Sequence, residues 1–303
     1  SGGGSGGGGG NSSAGVGAGS GSGSGDGDGG DVSGGTVRKG SSADRHFIPS
    51  VGLGIWARVF RFNDHAPGQD RGEYSSGAVF ALALAARVYP LSFFVDKGFL
   101  TNIWMRINFK IALGLSSRIG QTGNEDLSTS LWQVIFDLGY RWQFTDKPSS
   151  PSLDIGFGFG AHSFGIDWGP AQPQLTNVSY TFMTLGAGFS WPIVKALASP
   201  KTANGALGGL GVDLRFAYRI VFSAGDIEDP DQWYGPASVG GIDFGLGAVW
   251  QRKSLAIRLG YTLTYYFFAF SDTSAQRVQA GKLTAGGATD TSHTVLVGGA
   301  YSF

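Results

Sequence analysis

The segment NIWMRINFKIALGLSS, residues 102–117, alternates apolar residues with polar or small ones. The apolar positions are Ile103, Met105, Ile107, Phe109, Ile111, Leu113 and Leu115. Because side chains alternate between the two faces of a strand, the pattern predicts a β-strand with one wholly apolar face. At about 3.3 Å per residue, residues 103–115 reach roughly 43 Å, or about 30 Å when tilted by about 45°. This predicted strand is long enough to cross a membrane.

The same alternation recurs along the chain and predicts ten strands. They are at residues 50–62, 76–89, 102–116, 130–144, 152–165, 178–193, 209–222, 239–251, 254–269 and 292–303. The connections between them are alternately long and shorter, although residues 90–101 and 194–208 are long for the shorter set. An even number of strands with this alternation is typical of barrels that cross the outer membrane, with short periplasmic turns. The pattern predicts an all-β fold, a transmembrane antiparallel up-and-down β-barrel.

The face opposite the apolar one indicates which side of each strand meets lipid. It carries many glycines and these charged residues: Arg58, Arg87, Arg106, Lys110, Asp137, Arg141, Asp154, Asp213, Arg215, Arg219, Asp243 and Arg258. Glycine weakens an exposed strand, and an uncompensated buried charge is costly, so this composition favours a narrow lumen filled by paired charges. Arg141 and Asp154, at similar depth beside the turn at 145–151, are predicted to pair, and Asp243 on a neighbouring strand is predicted to join Asp213 and Arg215 in a network. Aromatic residues near the strand ends fit the girdles of a membrane barrel: Trp142, Phe144, Tyr180, Trp191, Trp250, Tyr265 and Phe267.

The chain ends in VLVGGAYSF, residues 295–303, with an aromatic at Tyr301 and a final Phe303. With this ending, residues 48–303 resemble bacterial outer-membrane β-barrel proteins as a class, and no single family within it. The resemblance implies that Tyr301 and Phe303 form the signal read by the barrel-assembly machinery. It also implies location in the outer membrane of a Gram-negative bacterium and contact with its lipid and lipopolysaccharide. The last strand would then pair with the first to close the barrel.

Composition limits the other classes. The chain has 303 residues, 22 basic and 22 acidic side chains, 53 glycines and no cysteine. Balanced charge gives no reason to expect nucleic-acid binding, and the lack of cysteine excludes disulfides and cysteine-based metal sites. Residues 1–47 are Gly/Ser-rich, and such a segment behaves as a flexible arm. Since both ends of an even-stranded barrel lie on the same side, we expect this arm in the periplasm.

Catalytic candidates in the lumen are few. Among the four histidines, His162 is predicted to face inward near the outer rim, with Asp167 close in sequence. A general base needs an orienting group and a nearby nucleophile or water, and Ser163 is predicted to point the other way. The acidic loop at Asp226–Asp231 matches no calcium-loop spacing. We therefore expect no catalytic set, no metal and no cofactor.

These observations favour a structural or anchoring role in a cell-envelope assembly. The arm is one candidate contact for a periplasmic or membrane protein partner. The turn PLSFFVDKG is another, through Phe93 and Phe94. One alternative is a narrow channel for small solutes, favoured toward anions by the excess of basic side chains in the predicted lumen. A lipid- or peptide-modifying barrel enzyme is a further alternative, and it would depend on His162.

Overall fold

The strands account for nearly all of the described chain. The computed structural model describes residues 46–65, 74–95, 98–118, 126–145, 150–168, 176–193, 209–231, 233–252, 254–271, 281–282 and 284–303. The strands are β1 (Phe47–His65), β2 (Tyr74–Val88), β3 (Ile103–Leu113), β4 (Ser116–Arg118), β5 (Asp126–Gln143), β6 (Ser152–Ile166), β7 (Val178–Pro192), β8 (Gly209–Ser223), β9 (Ala237–Arg252), β10 (Leu255–Phe270) and β11 (Ala285–Tyr301). Short 3-10 turns occupy Pro90–Phe93, Phe99–Asn102 and Gly225–Glu228. Within these ranges, no helix is long and apolar enough to span a membrane.

The sheet closes into a barrel of ten strands. Each long strand pairs antiparallel with its sequence neighbours, β1 pairs with β11, and β3 pairs with β5 past the three-residue β4. The register can be followed around the wall by stepping from each residue to its partner on the next strand. Starting in β1 the partners are Phe60, Asp290, Tyr266, Gly241, Arg219, Thr184, Gly158, Asp137, Arg106, Arg87 and Ile48. The path that leaves β1 at residue 60 returns to it at residue 48, a stagger of 12 residues.

This stagger sets the dimensions of the lumen. With ten strands about 4.8 Å apart, it corresponds to a strand tilt of about 40° and about 20 Å between opposite backbones. Long side chains from opposite walls can therefore meet at the axis. Both described chain ends lie at one rim, called here the terminal rim, where Phe303 N–H donates to the Phe47 carbonyl oxygen (3.0 Å). The opposite end is called the loop rim.

The predicted apolar face lies on the outside of the barrel. Outward side chains that remain exposed include Val51, Leu53, Ile55, Phe80, Ile107, Phe136, Trp142, Ile155, Phe157, Phe159, Trp191, Leu214, Phe216, Phe244, Leu246, Ile257, Leu259, Val297, Tyr301 and Phe303. A contiguous apolar exterior of this extent is what lipid requires of a membrane barrel. The fold prediction, a transmembrane antiparallel barrel of ten strands, is confirmed. Residues 1–45, most of the predicted arm, lie outside the described residues.

Two side chains lie on the opposite face from the one predicted. Tyr180, predicted in an outer girdle, is buried inside the barrel, because its position in β7 has the inward parity of Phe182 and Thr184. Leu115 was predicted to continue the outward face of β3, yet it is buried in the interior. Gly114 separates β3 from β4 with φ at +68°, and this left-handed residue breaks the strict alternation.

The last strand begins earlier than predicted. β11 starts at Ala285 and not at residue 292, so Asp290 belongs to the wall and points inward. The extra segment, AGGATDT, lacks large apolar residues, and so its sequence carries no strand alternation. It is held as a strand by pairing with both β1 and β10.

Closure at the β1–β11 seam depends on close backbone approach at Gly54. A Cβ at this position would overlap the carbonyl of Val295 on the neighbouring strand. We predict that Gly54→Ala destabilises the barrel by about 1–3 kcal/mol, the range for overpacking. The measurement is the urea midpoint in lipid vesicles, with the heat-modifiable gel band as a check of folding. Gly299→Ala is the matched control, since a Cβ there meets no atom within 4 Å. Equal midpoints for the two variants would contradict the prediction.

Candidate functional site

The lumen near the terminal rim contains a network of arginine and aspartate side chains, called here the terminal network. Arg141 donates two hydrogen bonds to Asp154, both at 2.8 Å, and Arg87 reaches the same carboxylate from across the barrel at 3.2 Å. Asp137 of β5 accepts from Arg106 at 2.7 and 3.0 Å and lies 3.6 Å from Arg215 of β8, three strands along the wall. Arg258 pairs with Asp213 at 2.9 Å. These ion pairs tie β2, β3, β5, β6, β8 and β10 together inside the lumen.

A second cluster of charges lies halfway along the lumen. Arg219 donates to both oxygens of Asp243, at 2.8 and 2.9 Å, and also to the hydroxyl of Tyr266. Thr264 donates to Asp243 at 2.6 Å. The Lys110 ammonium donates to Thr294 Oγ1 at 2.9 Å and lies 3.7 Å from the centre of the Trp56 ring. The side chains of Arg219 and Asp243 are buried, so this pair is shielded from water and ions.

The lumen toward the loop rim is filled by stacked rings, called here the aromatic plug: Trp56, Phe60, Phe164, Tyr180, Phe182, Tyr266 and Phe268. Tyr180 and Tyr266 are parallel, with ring centres 3.8 Å apart, although they come from β7 and β10. Within the plug, Arg58 donates to Asp290 at 2.9 Å, and the Tyr180 hydroxyl donates to the same carboxylate at 2.7 Å. The Arg58–Asp290 ion pair, the Tyr180 hydroxyl and the stacked rings therefore form one packed unit.

A loop packs over the plug. Ile227, within the 3-10 turn Gly225–Glu228, is buried against the barrel interior, and so are Trp233 and Tyr234, which follow the turn. Tyr234 stacks on Phe62 of β1 with ring centres 4.4 Å apart. The loop that contains the acidic residues Asp226–Asp231 therefore also places apolar side chains into the mouth of the barrel.

The acidic residues of this loop are held by local bonds. Glu228 accepts from the backbone N–H of Ala224 at 2.8 Å, and Asp231 pairs with Lys282 at 2.9 Å. Among the described residues, no group of three or more histidine or acidic side chains is arranged to hold a metal ion.

His162 lies inside the plug and not in an open cleft. Its ring packs against Trp56 with centres 5.5 Å apart, and Nδ1 lies 3.2 Å from the Tyr266 hydroxyl. The residue is buried, with Ser163 on the other face of β6. In this position the imidazole can accept or donate a hydrogen bond within the plug, and it is shielded from solvent.

Eleven of the twelve charged residues expected in the lumen form ion pairs in the structure, and Lys110 donates a hydrogen bond to Thr294. Not every partner is the expected one. Asp243 was expected to join Asp213 and Arg215, whereas it binds Arg219. The sequence pattern does not indicate Asp290, because residues 285–291 show no apolar alternation, and the predicted lumen residues did not include the inward aromatics Trp56, Tyr180 and Tyr266. Trp56 has the inward parity of Arg58 in β1, and Tyr266 has that of Arg258 in β10, so alternation with these arginines is the signal that indicates Trp56 and Tyr266.

The terminal rim carries the remaining predicted contacts. Phe93 and Phe94 lie at the end of the turn Pro90–Phe93, and both rings are largely exposed. Phe93 also stacks on His46, whose Nδ1 is 2.7 Å from the Ser92 hydroxyl. Tyr301 and Phe303 are exposed and pack edge to face, with Phe303 also stacked on Phe47. These rings continue the outward aromatic band at this rim.

Comparisons with known proteins find a likeness in fold only. No protein-family model and no curated protein matches this chain. Among solved structures it is similar to Neisserial surface protein A (10% identity, TM-score 0.32, covering 85% of this chain and 97% of that one). It is also similar to the Pseudomonas putida toluene transporter TodX (9%, 0.31, 85% and 90%) and to the outer membrane protein AlkL (10%, 0.29, 82% and 90%). At these identities and TM-scores the likeness carries no argument about what the chain does.

The buried pair in the plug gives a test of its energetics. Both side chains of the Arg58–Asp290 pair are only 1% exposed. Asp290→Asn would leave Arg58 charged and without its carboxylate, so we predict a loss of about 3–5 kcal/mol in the free energy of unfolding. Urea unfolding in vesicles, followed by tryptophan fluorescence, measures it. Asp231→Asn removes half of the exposed pair with Lys282 and should leave the midpoint nearly unchanged. Similar losses for the two variants would contradict this account.

Proposed function

We propose that this protein is a closed outer-membrane barrel that anchors a cell-envelope assembly. The observation that carries the proposal is the aromatic plug, which fills the loop half of a lumen about 20 Å across between backbones. Ring stacking between Tyr180 and Tyr266 and the hydrogen bond from Tyr180 to Asp290 join strands that lie three and four apart in the sheet, and Arg58 bonds to the same carboxylate. A steady aqueous pore would have to separate these groups and leave buried charges unpaired, which is costly.

The contacts of such an anchor would lie on its surfaces. Residues 1–45 form a Gly/Ser-rich segment immediately before β1, and Gly/Ser chains act as flexible tethers. We propose that this segment lies in the periplasm and binds a periplasmic or membrane protein partner. Lipid and lipopolysaccharide would cover the apolar wall, and the barrel-assembly machinery would recognise the last strand through Tyr301 and Phe303.

A second candidate function is a narrow channel for small anions. Eight basic side chains face the lumen in the described residues, against the carboxylates of Asp137, Asp154, Asp213, Asp243 and Asp290. An excess of positive charge in a confined passage attracts anions. This candidate requires the plug to open.

Planar-bilayer conductance separates the two candidates. For the closed anchor, we predict no steady open level from the wild-type barrel. The double variant Tyr180→Ala, Tyr266→Ala removes the stacked pair at the centre of the plug and should create a measurable open level. The matched control, Tyr218→Ala with Tyr265→Ala, removes two tyrosines from outward positions and should stay closed. A stable anion-selective level from the wild type would reject the closed anchor and support the channel.

Partner binding is tested separately. Deletion of residues 1–40 should release the bound partner in copurification from outer membranes, while the barrel keeps its heat-modifiable band. The full-length chain isolated in the same way is the control. An unchanged set of copurifying proteins would remove the arm from the proposal.

A further inference from the structure

One wall of the lumen near the terminal rim is lined by glycines that close packing does not require. The inward residues Gly52, Gly188, Gly245, Gly247 and Gly260 are spread over β1, β7, β9 and β10. A Cβ built at any of them would come no closer than 3.4 Å to another heavy atom. By contrast, a Cβ at Gly158 would meet Asp137 Oδ1 at 2.5 Å. The five glycines therefore place no side-chain atoms in the lumen, and the space beside them would accept side-chain atoms at ordinary van der Waals distance.

The groups that border this space are mainly cationic. The terminal network contains five arginines and three aspartates, so its net formal charge is +2: Arg87, Arg106, Arg141, Arg215 and Arg258 against Asp137, Asp154 and Asp213. Two carboxylates are each shared between two arginines. The side chains of Arg215 and Arg258 point inward yet are 37% and 63% exposed, so solvent reaches them inside the barrel.

We propose that this space, called here the terminal vestibule, is a binding site for a small multivalent oxyanion that carries phosphate or carboxylate groups. Guanidinium groups bind both classes through paired, charge-assisted hydrogen bonds. The aromatic plug closes the inner end, so the site is blind and opens at the terminal rim. The proposal concerns ligand binding in the lumen and is independent of the anchoring role.

The network already contains the groups that an anion would exchange. Arg258 and Arg215 are the most exposed arginines of the network, and their ion pairs with Asp213 and Asp137, at 2.9 and 3.6 Å, are not reinforced by paired hydrogen bonds. Arg141 and Arg106, in contrast, are each held by two hydrogen bonds to one carboxylate. An entering anion would therefore contact Arg215 and Arg258 first, in competition with Asp213.

The test is calorimetric titration of the full-length barrel in detergent with inorganic pyrophosphate at low salt. We expect saturable binding that weakens as ionic strength rises. Arg215→Gln and Arg258→Gln should each weaken it by about tenfold or more, because each removes a charge-assisted contact to the anion. Asp213→Asn, which removes the competing carboxylate, should strengthen binding. Arg252→Gln, at the same rim but at an outward position, is the control.

Two leucine substitutions test whether the terminal vestibule is open. Gly260→Leu would project into the vestibule and should abolish pyrophosphate binding, whereas Gly299→Leu lies on the outward face and should leave it intact. The heat-modifiable gel band confirms folding of every variant, and a variant that fails to fold is replaced by Gly247→Leu. The proposal is overturned if the wild type does not bind. It is also overturned if Asp213→Asn weakens binding as the arginine variants do, or if both leucine variants bind equally.

Discussion

Hydrogen-bond closure of the sheet is the constraint on which the rest of this structure depends. A strand edge inside a bilayer has no water to bind, so a chain that crosses as strands must pair its first strand with its last. Here β1 and β11 pair from Ser50 to His65, and close backbone approach at Gly54 and Gly298 allows it. Once ten strands close with a stagger of 12 residues, the lumen diameter follows.

That diameter determines how polar residues can be accommodated. Opposite walls lie within reach of two long side chains, so inward charges find partners on distant strands: Arg87 of β2 bonds to Asp154 of β6, and Tyr180 of β7 to Asp290 of β11. Such cross-lumen bonds stabilise the barrel wall, much as a packed core stabilises a soluble domain. The two halves of the lumen differ, with stacked rings near the loop rim and glycines beside arginines near the terminal rim.

The number of long strands, and the face of the sheet on which most residues lie, could be predicted because both depend on local alternation. The segment 102–113 shows it clearly, and its outward and inward residues lie as predicted until Gly114 takes a left-handed conformation. The start of β11 could not be predicted in the same way. Its first residues are small and polar, and only pairing with two neighbours makes them a strand. Asp290 was missed for that reason, and with it the partner of Arg58.

The sequence by itself determined the class of protein: ten alternating segments of membrane-crossing length, an apolar face for lipid, a charged face for a lumen, and an aromatic end. Tertiary structure alone decided which charges meet, that Tyr180 and Tyr266 stack in a plug, and that Asp243 binds Arg219 rather than its expected neighbours. The physical reason is the distance over which each feature is determined. Alternation is set within a few residues, whereas partners across the lumen depend on the stagger accumulated around all ten strands.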